Sequence, residues 1–267
     1  MLAGAACGRS RPVASLSVEP VTVNLPHPAV APMRFRWSPT APLGRVAGKP
    51  RVFVHVLDGG RRLLRTFDHP LPETWTPGRP QDYEIELYQS AIAEPLAAGA
   101  YEITVGLYDD GEKKRWPLQV DGEEVGRQEY RLATLVVPAA PAPAPTFEFS
   151  GGWRAVEPGS SKQVVARRCL DGEGGISVGA PPSSGTVRVA SSILTSGGAP
   201  AVARWTVSAS CSPLEVSVTG TELTWVAVPL APAEGPACEI RFLPAAAAGG
   251  VSQPLCLEVL AWRPATP

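Results

Sequence analysis

Leu96-Ala-Ala-Gly99-Ala-Tyr101 runs directly into Glu102-Ile-Thr-Val-Gly-Leu-Tyr108. The first part reads as a tight corner and the second as a strand. Ile103, Val105 and Leu107 alternate with Glu102, Thr104 and Gly106, the period of two that a half-buried strand shows. The spacing Leu-x-x-Gly-x-Tyr is that of a tyrosine corner. There the glycine turns the chain and the tyrosine hydroxyl bonds backbone a few residues upstream. Leu96, Gly99 and Tyr101 are therefore the expected structural corner, fixing the crossing between two packed antiparallel sheets.

Working outward, Met33-Arg-Phe-Arg-Trp37 alternates an apolar face with a charged one. Leu16-Ser-Val and Val21–Leu25 read as an edge-type strand pair interrupted by Pro20. Arg51–Leu57 is apolar on both faces, which implies a strand covered on both sides. Asp58-Gly-Gly60 reads as a hairpin turn. Tyr83–Tyr88 alternates again, and Asp109-Asp-Gly111 turns the corner strand toward Lys114-Arg-Trp116. Residues 13–137 are thus expected to form an immunoglobulin-like β-sandwich, preceded by a tether or signal remnant over 1–12. Pro138-Ala-Ala-Pro-Ala-Pro-Ala-Pro145 follows. Its prolines cannot join a ladder and favour polyproline II, so 138–146 is a semi-rigid linker. From 147 to 267, short strands such as Thr186–Leu194, Thr224–Leu230 and Leu255–Trp262 alternate with loops rich in Gly, Ser and Pro. They predict a second, jelly-roll-like sandwich. The fold class is all-β.

The composition agrees. Of 267 residues, 30 are Pro and 26 Gly, and 44% are hydrophobic, which suits many short strands around packed cores. The net charge is −1 and the arginines are scattered, so no basic stripe marks the chain for nucleic acid. No apolar run is long enough to form a transmembrane helix, so any membrane association is expected to be peripheral. Cys169, Cys211, Cys238 and Cys256 are too widely spaced for a zinc pattern and read as two disulfides formed outside the cytoplasm. Cys169 and Cys256 lie in the first and last long strands, and their pairing would leave Cys211 with Cys238. Cys7 follows Leu2-Ala-Gly-Ala-Ala6, the small-residue tail of a bacterial lipoprotein signal, and is the lipidation candidate.

A resemblance joins these pieces. Val52-Phe-Val-His55-Val-Leu-Asp58, Asp68-His69-Pro70 with Pro72, Trp75-Thr-Pro-Gly78, Leu96-x-x-Gly99-x-Tyr101 and Val105-Gly-Leu-Tyr-Asp109 resemble one bacterial β-sandwich module. That module is attached to membrane glycosyltransferases and found in envelope proteins. Phe149-Ser-Gly-Gly-Trp153 through Glu157 resembles the module that often accompanies it. The resemblance implies a non-catalytic, extracytoplasmic pair of sandwiches, periplasmic or on the outer face of a membrane, and no transferase activity carries over.

The residues themselves offer little chemistry. Gly175-Ile-Ser177-Val-Gly179 has the G-x-S-x-G form, but a nucleophile elbow needs a following helix and a later His, and neither is present. His55 and His69 with Asp58 and Asp68 could gather a metal; a buried histidine held by one hydrogen bond and a turn at Asp68 are the simpler expectation. Glu84 and Glu86 share a face with Asp82 that reads as solvated. No catalytic, metal or cofactor residues are assigned. Trp37, Trp205 and Trp225 read as core, whereas Trp75, Trp116 and Trp153 flank turns and are candidate exposed contacts. The expected function is a non-catalytic accessory protein that docks protein partners in a membrane-bound or envelope assembly. The alternative is a carbohydrate-binding module for cell-surface glycan.

Overall fold

The strand Val30–Pro39 shows how the sequence pattern becomes architecture. Its buried and exposed positions alternate, with Met33, Phe35 and Trp37 inside. Outside, Arg34 pairs with Asp82 and Arg36 with Glu19. The computed structural model describes residues 11–181, 183–195, 203–231, 237–245 and 253–265. Cys7 lies outside them. No helix occurs among the described residues, so the all-β expectation holds. The chain divides into two units. Unit 1 comprises Met1–Val23, Pro32–Glu86 and Ala100–Val136; unit 2 comprises Asn24–Ala31, Leu87–Gly99 and Val137–Pro267.

The first unit is built on a four-stranded and an eight-stranded sheet. In the smaller sheet, Ala14–Glu19 sits between Val30–Pro39 and Leu118–Val120, the latter pair parallel. Thr22–Asn24 instead pairs with Glu129–Val137 in the larger sheet. The expected edge pair around Pro20 is therefore corrected. Ala14–Glu19 is interior to its sheet, and Pro20, which cannot donate to a ladder, lies where the chain changes sheets.

The corner stretch enters the larger sheet as Gly99–Asp109, paired with Pro50–Leu57 in the register Val54↔Val105. Gly99 has a φ of 155°, and a Cβ there would meet no atom within 4 Å, so backbone conformation rather than space asks for glycine. Tyr101 is half-buried at the start of the strand. From Ile103 to Leu107 both faces are buried, which corrects the half-buried expectation. The reason is Gly106: the Phe53 ring lies over it, and a Cβ would fall 2.2 Å from Phe53 Cζ. The Tyr130 hydroxyl accepts the buried Leu118 N–H at 3.0 Å.

The second unit carries a nine-stranded sheet. Ala166–Val178 is one long strand running through Asp171-Gly-Glu-Gly-Gly175. The glycines let Phe147–Trp153 pack close, with a bulge between Gly151 and Trp153. Trp205, Phe242 and Trp262 form the centre of the core. Cys169 is bonded to its cross-strand partner Cys256, and Cys211 to Cys238, as the sequence reading paired them.

Candidate functional site

In unit 1 two irregular loops flank a groove of about 610 Å³. Leu43, Val46 and Pro50 line one side, Leu71 and Pro72 the other, and Trp75 also contributes. Neither loop has a ladder to hold it, so side chains must. The Asp109 carboxylate, buried at the end of the corner strand, accepts the Ala47 and Gly48 N–H groups at 2.8 Å each and that of Gly111 at 3.0 Å. Asp110 accepts the Lys49 N–H at 2.5 Å. Burial pushes the Asp109 pKa up, but its backbone donors outweigh that and hold the carboxyl below the usual range.

The tryptophans fasten the rest. Trp116 Nε1–H donates to Leu43 O and Trp75 Nε1–H to Ala41 O, both at 2.9 Å. The Trp75 ring stands edge-on to Trp37 with centroids 5.9 Å apart. Across from them, buried Gln81 donates through Nε2 to the carbonyls of Glu73 and Thr74. The groove is lined largely by apolar side chains, with Lys49, Glu73 and Thr74 adding polar groups. Its Glu73 is paired with Arg79.

Beneath this region His69 and Tyr83 form an internal relay. Phe67 O can only accept, so His69 carries its proton on Nδ1 (3.0 Å) and accepts through Nε2 from the Tyr83 hydroxyl (2.9 Å). Tyr83 in turn accepts the Trp37 Nε1–H at 3.2 Å. Burial pulls His69 down to about 4, against a small opposing pull from its bond to Phe67, and pushes Tyr83 up. A histidine held neutral and doubly bonded is a packing element.

On the outer face of the larger sheet, His55 Nδ1 lies 3.3 Å from Glu129 Oε1. Thr104 donates to the same oxygen at 2.6 Å, and Arg115 to Glu129 Oε2 at 3.1 Å. The His55 bond, then those of Thr104 and Arg115, hold Glu129 down at about 2 despite its partial burial. Arg115 also lies over the Phe53 ring at 4.5 Å, and His55 stacks on that ring at 4.6 Å. Asp68, raised by burial, accepts from Tyr108 and sits 4.0 Å from His55 Nε2. Asp58 instead caps its own turn by accepting from Gly60 and Arg62. The two histidines thus face different partners and form no shared metal site.

Among the described residues, Glu157, Cys169 and Cys256 have metal-ligand spacing, but the two sulfurs are bonded to each other and neither is a thiolate. Ser177 lies within the strand Ala166–Val178, not on a strand-to-helix turn. Of the candidate exposed rings, Trp116 is buried at 3% exposure, because its indole pins Leu43. Trp153 is half-buried, edge-on to Phe242 and Phe149, and donates to Gly175 O. Trp75 alone of the three lines the groove. The loops that frame it were missed by the pattern reading. Their only signal is proline density between Pro39 and Pro50 and between Pro70 and Pro80.

Fold and site together define an all-β, disulfide-bonded protein of two sheet-built units. No family model matches the sequence, and no curated protein matches it. Among solved structures, it is similar to the CBM22-1 xylan-binding domain from Paenibacillus barcinonensis Xyn10C. That match has 15% identity and a TM-score of 0.31, covering 45% of this chain and 87% of the other. It is also similar to the M60 catalytic domain with CBM51-1 and CBM51-2 from Clostridium perfringens ZmpB, at 10% identity and TM-score 0.35, covering 97% and 32%. A β-glucuronidase from Bacteroides uniformis matches at 10% identity and TM-score 0.31, covering 95% and 30%. The chain spans about a third of the length of the last two. No residue role is carried over from any of them.

Proposed function

We propose that the chain is a non-catalytic, extracytoplasmic accessory protein that binds a larger envelope assembly through the Trp75 groove. The observation that carries this reading is the contrast between the groove and the titratable groups. Leu43, Val46, Leu71, Pro72 and Trp75 line a largely apolar surface edged by Lys49 and Glu73. His55, Glu129, His69 and Tyr83 are instead bonded to their own neighbours. An extended partner segment would lie against the Trp75 ring and the proline faces, which require no ordering on binding. Two disulfides and the lack of any long apolar helix among the described residues are compatible with an extracytoplasmic setting. Attachment through a lipid at Cys7 is part of the proposal and rests on Leu2-Ala-Gly-Ala-Ala-Cys7.

The alternative is glycan binding on the Trp75 ring, since pyranose faces stack on rigid indoles. One experiment separates the two. Purified Cys7→Ser protein, with and without Leu71→Glu, is titrated against isolated envelope. Saturable binding that Leu71→Glu weakens at least tenfold, and that protease treatment of the envelope removes, supports the protein partner. Binding that survives protease but is lost on periodate oxidation supports glycan. Equal binding by both proteins rejects the groove.

A further inference from the structure

The strand Leu255–Pro264 is paired along its length with Gly185–Ile193 on one side. On its other side, Ala166–Val178 reaches it only through Arg168, Cys169 and Leu170, opposite residues 255–257. Beyond that the neighbouring strand turns to other partners, and the backbone groups of Leu260 and Trp262 are left facing an open edge. A buried, unpaired edge is costly, and an exposed one invites a foreign strand.

The edge is nevertheless filled. Leu260 N–H donates to Ser90 Oγ at 3.0 Å, Ala91 N–H donates to Leu260 O at 2.6 Å, and Trp262 N–H donates to Pro28 O at 3.1 Å. Ala29 forms a parallel bridge with Trp262. Around these bonds, Ile92 is buried in the core of unit 2, and the Tyr88 ring meets Trp225 edge-on with its hydroxyl donating to Gln163 O. The two contributing segments are also stapled to each other. Gln89 donates from its backbone to Ala29 O and from Nε2 to Leu25 O, and its Oε1 accepts the Leu96 N–H. His27 Nε2 donates to Ser90 O at 3.1 Å.

We infer that residues 260–262 form a docking edge for an extended segment, and that the chain keeps this edge occupied with its own residues 27–29 and 88–92. Leu260 N–H, Leu260 C=O and Trp262 N–H each meet a named atom of those segments, and Tyr88 and Ile92 add side-chain anchors beside these hydrogen bonds. This is strand addition made within one chain. Its consequence is that the edge becomes receptive when the strap is released, so unit 2 cannot be excised at the proline linker without opening it.

The test uses the full-length, disulfide-intact protein with Ser90→Ala or Ile92→Ser and reads amide hydrogen exchange. Expected is acceleration of about tenfold or more at Leu260 and Trp262, while amides between Gly185–Ile193 and Thr224–Leu230 hold their rates. An excess of a synthetic peptide of residues 86–95 should restore slow exchange, and the same peptide carrying both substitutions should not. Slow exchange regained only at high protein concentration, with dimers present, means a second copy fills the edge and also supports it. Unchanged exchange at Leu260 and Trp262 overturns the inference. So does acceleration spread evenly over unit 2 with no response to peptide, since Ile92 would then be an ordinary core residue. If Ile92→Ser fails to fold, Ser90→Ala, which removes one acceptor, carries the test.

Discussion

Unit 1 and unit 2 are both made of β-sheet, yet they are held by different chemistry. Unit 1 is pinned by polar side chains on its loops and outer face: Asp109 on the 47–48 backbone, His69 on Tyr83, and Glu129 among His55, Thr104 and Arg115. Unit 2 relies on an apolar core around Trp205, Phe242 and Trp262 and on two disulfides. Among the described residues, its buried acid is Glu258, which accepts from Ser192 and whose pKa is raised by burial. The difference teaches that one fold class can be stabilised through protons in one place and through covalent closure in another. Acid and reductant should therefore separate the units.

The largest expected effect is covalent. In the chain-entropy picture, replacing Cys169 and Cys256 together by Ala costs unit 2 about 4.5 kcal/mol, given their separation of 87 residues. Replacing Cys211 and Cys238, 27 apart, costs about 3.5 kcal/mol. Urea unfolding followed by exchange at residues 187–189 measures both. An equal loss reported by Val54 and Val105 would break the contrast between the units.

Next comes pH. His69 sits at about 4 in the folded protein against 6.5 when free, so the unfolded chain takes a proton that the native one refuses. Its contribution is intact above pH 6.5, falls by about 3 kcal/mol between pH 6.5 and 4, and is level below. Glu129, held down at about 2, adds a second loss as pH falls from 4.5 toward 2. Asp68, raised by burial, works against these within unit 1. Glu258, likewise raised, favours unit 2 on acidification. Unfolding at stepped pH should show unit 1 weakening first, and His69→Gln should flatten its slope between pH 6.5 and 4. A slope unchanged in that variant would remove His69 from the account.

The smallest effects sharpen the corner. Tyr130→Phe leaves the buried Leu118 N–H without its acceptor and should cost about 1–2 kcal/mol. Tyr101→Phe should cost about 1 kcal/mol if its hydroxyl does what the Leu-x-x-Gly-x-Tyr spacing predicts. Thermal unfolding of the two variants side by side ranks them. No change in Tyr101→Phe would show that the corner lies elsewhere.

Alternation determined several of the strands of this protein, because a side chain's face follows from its position along a pleated backbone. Met33-Arg-Phe-Arg-Trp37 and Thr224–Leu230 could be read directly, and so could the all-β class. Strand position suggested pairing Cys169 with Cys256 among three possible connectivities, and the folded structure makes that bond. What the sequence could not carry was everything that depends on non-local neighbours. Burial of Thr104 and Gly106 was decided by Phe53 and Glu129 arriving from other strands. Trp116 and Trp75 both flank turns, but only the tertiary structure places Leu43 O over one and an open groove beside the other. Likewise, nothing in Tyr88–Ile92 announces that it closes the edge of a strand that ends at Pro264. Periodicity is a property of one segment, whereas burial, pinning and edge closure belong to pairs of segments brought together by folding.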